Sequence, residues 1–214
     1  MIYRNIPNIV TILGVLPLAL LFSEHGYRYL IPLIVYNNIM DDLDGILAAK
    51  LKLKSDFGAN LDNVCDAVSH TLFVMAIGMH YGLACGLIRA VAIAAILIRV
   101  VSRLDPANEK GTGSLTNELI RHVFFALLLA DMFSFNPALP LIAIFLLNTV
   151  SMHIPYPMPY MIRSQAKTAT LVGIVNILLI SAWLFPYFLP IIAGCFFSAY
   201  LYSFVKIFLG SYQK

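Results

Sequence analysis

Eight apolar stretches follow one another along the chain and leave almost no residues from which to build a polar shell. They fall at 7–22, 29–50, 56–81, 83–103, 117–133, 137–152, 168–185 and 187–208. Only 12% of the 214 residues are charged and 60% are hydrophobic, whereas soluble domains carry about 25% charge. Mean hydropathy is +0.85. A soluble domain, a disordered chain and a disulfide scaffold are all excluded. A bilayer core about 30 Å thick takes roughly 20 apolar residues per helix. The expected fold is therefore an all-α integral membrane protein, a polytopic bundle of about six to eight transmembrane helices. It forms one domain over residues 1–214.

The basic residues orient this bundle. With both termini on the cytoplasmic side, all of the 14 Lys and Arg except Arg28 and Arg89 fall on that side. That asymmetry follows the positive-inside rule. Tyr27, Tyr29, Tyr81 and Tyr187 fall near the opposite ends, where an aromatic belt belongs. Residues 1–8 read as a short interfacial segment, with Pro7 at the helix start. The net charge of +3 comes with no basic arm, so no nucleic-acid partner is expected. Cys65, Cys85 and Cys195 have no metal or disulfide spacing and are expected to be small buried apolar side chains.

The constraint that bears on function is a set of carboxylates inside the apolar runs. Asp41, Asp42 and Asp44 lie in the second span, and Asp62 and Asp66 in the third, with Asp56 at its mouth. Each charge within a span costs about 2.5–3.5 kcal/mol on insertion scales. Asp41 and Asp44 are three apart and share a helix face; Asp62 and Asp66, four apart, share another. Asp42 is turned about 100° away. Counted from Lys50 and Asp56 at about 1.5 Å per residue, the four aligned carboxylates reach similar depth. Four oxygen ligands suit a hard cation, and two Mg²⁺ or Mn²⁺ ions about 3.5–4 Å apart would fit such a set. Gly45 and Gly58 beside the acids either let helices pack closely or leave room for a flat ligand such as a nucleotide base.

The run Asp41-Asp42-Leu43-Asp44-Gly45-Ile46-Leu47-Ala48, then Gly58-Ala59-Asn60-Leu61-Asp62-Asn63-Val64-Cys65-Asp66, resembles the signature of the CDP-alcohol phosphotransferases (class I CDP-alcohol phosphatidyltransferases). That signature reads D-x-x-D-G-x-x-A-R, about eight residues, then G-x-x-x-D-x-x-x-D. Arg4-Asn5-Ile6-Pro7-Asn8 with Thr11 resembles the amino-terminal pattern of the family. The signature Arg is replaced here by Ala49. Lys50 follows, turned about 100° from that position.

The resemblance implies a phospholipid-synthesising enzyme. A metal-dependent transfer would move a phosphatidyl group from CDP-diacylglycerol, or a related CDP-lipid such as an ether analogue, to a small alcohol, releasing CMP. Asp41, Asp44, Asp62 and Asp66 would hold the metal, and Asp66 would also take the acceptor proton. Gly45, Ala48 and Gly58 would line the nucleotide pocket. Lys50, Arg99, Arg103, Asn117 and Arg121 are candidates for phosphate or acceptor binding. Arg99 and Arg103 equally suit topological anchoring. Asp66-Ala67-Val68-Ser69 and Ser55-Asp56-Phe57-Gly58 look most like phosphatidylserine synthases, which favours L-serine. Glycerol 3-phosphate, inositol and inositol phosphate are the alternatives. The resemblance suggests a homodimer in the plasma (inner) membrane of a bacterium or archaeon, with its site facing the cytoplasm. Two other classes place acids in membrane helices. A membrane prenyltransferase expects two Asp-rich motifs far apart in sequence. A cation-coupled transporter expects acids across several helices.

Overall fold

The computed structural model describes residues 3–105 and 112–211. Met1, Lys110 and Lys214, used in the readings above, lie outside the described residues. Among those described, helices dominate and no strand forms; Gly113 and Pro157 make an isolated bridge. The helices are α1 (Ile6–Val15, continued as a 3-10 helix over Leu16–Phe22), α2 (Leu30–Lys50), α3 (Asp56–His80) and α4 (Gly82–Leu104). There follow α5 (Thr116–Phe133), α6 (Ala138–Met152), the short α7 (Ile162–Gln165), α8 (Ala169–Leu184) and α9 (Leu189–Ser211). Each of the eight expected spans is a helix. Tyr3–Phe22, Gly82–Leu104 and Pro186–Gly210 are long and apolar enough to cross a membrane by themselves. Helices α2 and α3 have the length, 21 and 25 residues, but carry the carboxylates. Helices α6 and α8 have 15 and 16 residues and are shorter than a full crossing.

The chain divides into two compact units, Met1–Asn108 and Glu109–Lys214. In the first, Pro17 loosens the amino-terminal helix. Proline has no N–H to donate to the carbonyl four residues back, and from Leu16 onward the helix is 3-10. The carbonyl that Pro17 cannot serve, that of Leu13, accepts instead from the Tyr36 hydroxyl at 3.0 Å. The next one, Gly14, accepts from the Asn37 amide at 3.3 Å. Asn37 has a second amide hydrogen and donates to the Ser69 hydroxyl at 3.1 Å. One buried side chain of α2 thus binds α1 and α3 together. A Cβ on Gly14 would lie 3.1 Å from Met40 Cβ, so the missing side chain sets how closely α1 and α2 approach.

At one end of this unit, Tyr27 stacks on His80 with ring centroids 4.0 Å apart. Its hydroxyl lies 2.6 Å from that of Tyr81. This pair ties the segment entering α2 to the end of α3. Gly82 then turns the chain with φ +84°, a conformation open to glycine at little cost. Arg89 on α4 donates to the Met75 carbonyl at 3.0 Å, and its stem lies where a Cβ on Gly78 would be. One guanidinium nitrogen of this arginine is thereby partnered by backbone.

The opposite end of α2 stops in a Schellman turn. Lys52 sits in the left-handed region, φ 57°. Its N–H donates to the Ala49 carbonyl at 3.3 Å, and that of Leu53 to the Ala48 carbonyl at 2.9 Å. Ser55 then caps α3, its hydroxyl accepting from the Gly58 N–H at 3.1 Å.

The second unit packs α5 among α6 and α9 around buried aromatic rings, Phe124, Phe125, Phe145 and Phe196. A polar seam runs through it. Glu118 and Arg121 form a buried ion pair at 2.9 Å. His122 stacks on Phe197 and bonds Asn148. Ser114, Ser151 and Tyr200 are linked by hydroxyl contacts of 2.7 Å.

The cysteines correct one expectation. Cys85 is buried, Cys65 is half-buried and Cys195 is exposed. A thiol is apolar enough to face lipid, so a membrane helix has no need to turn it inward. Relief of the left-handed Lys52 is testable. Lys52→Gly should raise stability by about 0.5–1 kcal/mol, read as a higher midpoint in thermal unfolding of the detergent-solubilised protein.

Candidate active site

Helices α2 and α3 are joined by only residues 51–55 and run back along each other, so acids near that loop meet. Carboxylate oxygens of Asp41, Asp62 and Asp66 lie within 4.8 Å of one another. Asp41 and Asp62 are in hydrogen-bonding contact. Two carboxylates in contact need a proton or a cation between them. At that spacing each like-charge pair would repel by at least about 3.5 kcal/mol with an effective dielectric near 20. The donors are all hard oxygens on rigid helices, a set that fits a divalent cation.

Asp44 stands beside this triad and is held separately. It is buried, and its Oδ2 accepts from the Thr11 hydroxyl of α1 at 2.5 Å. The same hydroxyl lies 3.1 Å from the Pro7 carbonyl. A hydroxyl has one hydrogen, and the carboxylate is the stronger acceptor. Asp42 is buried on another side of α2, with Asn38 Nδ2 at 3.5 Å, as the 100° turn requires.

Asp44 and Asp62 both face a cavity of about 280 Å³. This is near the lower end of the roughly 300–1,000 Å³ typical of ligand sites. Its walls include Gly45, Ala48 and Gly58, together with Pro7, Asn8 and Thr11 of α1. A Cβ added to Gly45 would meet nothing within 4 Å. At Gly58 it would press on Asn8 Oδ1 at 3.1 Å and Ser55 Oγ at 3.2 Å. Both glycines therefore leave room in the site, and only Gly58 is also a close packing contact.

The basic candidates separate. Arg103 is half-buried and donates to Asn63 Oδ1 at 3.3 Å. Its charge acts on both Asp62 and Asp66. Arg99 is buried one turn before it. Lys50 and Ala49 are exposed and are not among the cavity walls. Asn117 and Arg121 belong to the second unit, where Arg121 pairs with Glu118. His70 is buried one turn beyond Asp66. Sequence reading missed Asn63, the partner of Arg103, and Leu53 and Lys54 in the cavity wall. Thr11 had a signal, its place in the amino-terminal pattern, but no assigned partner.

Comparison with known proteins adds two findings. The model of a family described as CDP-alcohol phosphatidyltransferase matches residues 4–200. An uncharacterized protein of Aquifex aeolicus (strain VF5) is 35% identical over 83 residues, which is 37% of this chain and 42% of that protein. The chain thus spans less than half the length of that relative.

The carboxylate set gives a direct prediction. Removing even an outer-shell partner of a metal ligand costs about 10–100-fold in affinity. Asp62→Asn should weaken Mn²⁺ binding at least that much, while Asp42→Asn should stay within about threefold of wild type. Electron paramagnetic resonance of free Mn²⁺ in titrations of the purified protein measures both.

Proposed function

The chain belongs to the CDP-alcohol phosphatidyltransferase family, and from that premise we propose that it transfers a phosphatidyl group from CDP-diacylglycerol, or an ether-lipid analogue, to L-serine. Family membership carries the coarser statement, phospholipid synthesis by CDP-alcohol transfer in an integral membrane protein. The observation that carries the finer reading is one contiguous arrangement. A carboxylate triad shares Asp62 with a cavity walled by Gly45, Ala48 and Gly58.

Asp41, Asp44, Asp62 and Asp66 are the residues that would hold Mg²⁺ or Mn²⁺, as two ions. Bound there, the cations would neutralise the diphosphate and stabilise departing CMP. The remaining work falls to side chains. Thr11 keeps Asp44 oriented by donating to it. Asp66 takes the proton of the acceptor hydroxyl. That oxygen then forms its bond to the lipid-linked phosphorus as the bond from phosphorus to the CMP oxygen breaks, a displacement that needs a base within reach of the hydroxyl. Gly45, Ala48 and Gly58 leave a flat space for the base of the nucleotide. Arg103, held by Asn63 and acting on Asp62 and Asp66, suits the acceptor carboxylate, with Arg99 one turn away.

The match over residues 4–200 crosses the boundary between the two compact units, which supports treating 1–214 as one catalytic domain. The basic-residue asymmetry supports a site on the cytoplasmic side; a bacterial or archaeal plasma membrane is the proposed location. A homodimer is the expected assembly. Serine rests on the short stretches around Ser55 and Ser69. Glycerol 3-phosphate, inositol and inositol phosphate remain as competitors.

The test is CMP release by purified protein with CDP-diacylglycerol, Mn²⁺ or Mg²⁺, and each acceptor in parallel. Serine-dependent release, reduced at least about 100-fold in Asp66→Asn, is the expected result. Release with another acceptor reassigns the product. Cation flux across vesicles without CMP release overturns the reading.

A further inference from the structure

Among the residues that wall the cavity beside Asp44 and Asp62, one is cationic, Lys54. Its position follows from the backbone on both sides. Leu53 is bonded back to the Ala48 carbonyl by the Schellman turn. Ser55 is fixed as the cap of α3. The residue between these two fixed points, Lys54, is one of those that line the cavity. Lys50, nearer in sequence to the signature, is exposed in the last turn of α2 and does not face the cavity. Ala49, at the position of the signature Arg, is exposed as well.

The cavity is thus chemically mixed. Its lining combines the carboxylates of Asp44 and Asp62, the cation Lys54, and the small residues Gly45, Ala48 and Gly58. A wholly cationic ligand would have no use for the lysine, and a simple anion none for the acids. A nucleoside phosphate with a divalent cation uses both, with its neutral base over the glycines. Lysine binds phosphate as a point charge, so it needs no bidentate geometry and tolerates delivery from a loop.

We propose that Lys54 is the phosphate-positioning cation of this site, holding the nucleotide phosphate of the CDP-lipid in place of the Arg that the signature puts at residue 49. This rests on the reading of the protein as a CDP-alcohol phosphatidyltransferase and deepens it.

The experiment measures CMP binding, Mn²⁺ binding and CMP release for the full-length wild type and for Lys54→Gln, Lys54→Arg and Lys50→Gln. Charged hydrogen bonds carry enough energy for about a 10- to 100-fold effect. Lys54→Gln should weaken CMP binding by that factor and raise KM for CDP-diacylglycerol more than it lowers kcat. Its Mn²⁺ affinity should stay within about threefold of wild type. Lys54→Arg should recover most of the loss, and Lys50→Gln should have the smaller effect of the two Gln variants. Four results would overturn the proposal: wild-type CMP affinity in Lys54→Gln, the larger loss in Lys50→Gln, a parallel collapse of Mn²⁺ binding, or no recovery in Lys54→Arg. If the wild type neither binds CMP nor releases it, the underlying functional reading fails, and the assignment of Lys54 fails with it.

Discussion

Mutual repulsion among carboxylates held inside an apolar hairpin is the constraint around which the first unit is organised. Asp41, Asp62 and Asp66 converge within 4.8 Å, in surroundings that oppose isolated charge. Such a group persists only if the helices carrying it are fixed by contacts that do not themselves depend on charge. Those contacts are the Asn37 amide between α1 and α3, the Tyr36 bond to α1 and the missing side chain of Gly14. The two hydrogen-bonding side chains satisfy groups that lipid could not. The break at Pro17 supplies the free carbonyls that draw α2 onto α1. A helix defect thereby becomes a docking surface, and Thr11 arrives within reach of Asp44.

Much of this was legible in the chain. Helix positions followed from apolar runs of spanning length, and the ends agree to within a few residues because Pro, Gly and Ser punctuate them. The carboxylate cluster was legible because three- and four-residue spacings put acids on one face, and a short loop forces the two faces together. The cavity wall was legible in part. Gly45, Ala48 and Gly58 were expected in it and line it.

What could not be read depended on backbone geometry or on distant partners. Lys54 reaches the cavity because Lys52 adopts a left-handed conformation, and nothing in a Leu-Lys-Leu-Lys run announces such a turn. Lys50 was favoured by proximity in sequence, yet the helix end leaves it exposed. Asn63 lies between two acids in sequence, and its partner Arg103 is forty residues away. In the second unit, Glu118 and Arg121 are three apart, a spacing that suits either a ligand cradle or an internal ion pair. The structure shows the pair. The seam from Ser114 through Ser151 to Tyr200 joins residues 37 and 49 positions apart, beyond the reach of any periodicity.

The pinning of Tyr27 against His80 and Tyr81 bears on the precision of a site far from it. From Leu30 to Asp44, α2 is a lever about 21 Å long at 1.5 Å per residue. With its base clamped, a tilt of about 3° would move the tip by roughly 1 Å, several times the ±0.2 Å or so within which metal–ligand distances hold. The Asn37–Ser69 bond acts as a second fulcrum midway along that arm and halves the play at its tip. Accuracy among the carboxylates is therefore set by where the arm is braced along its length, and an uncharged amide seven residues away is part of the instrument.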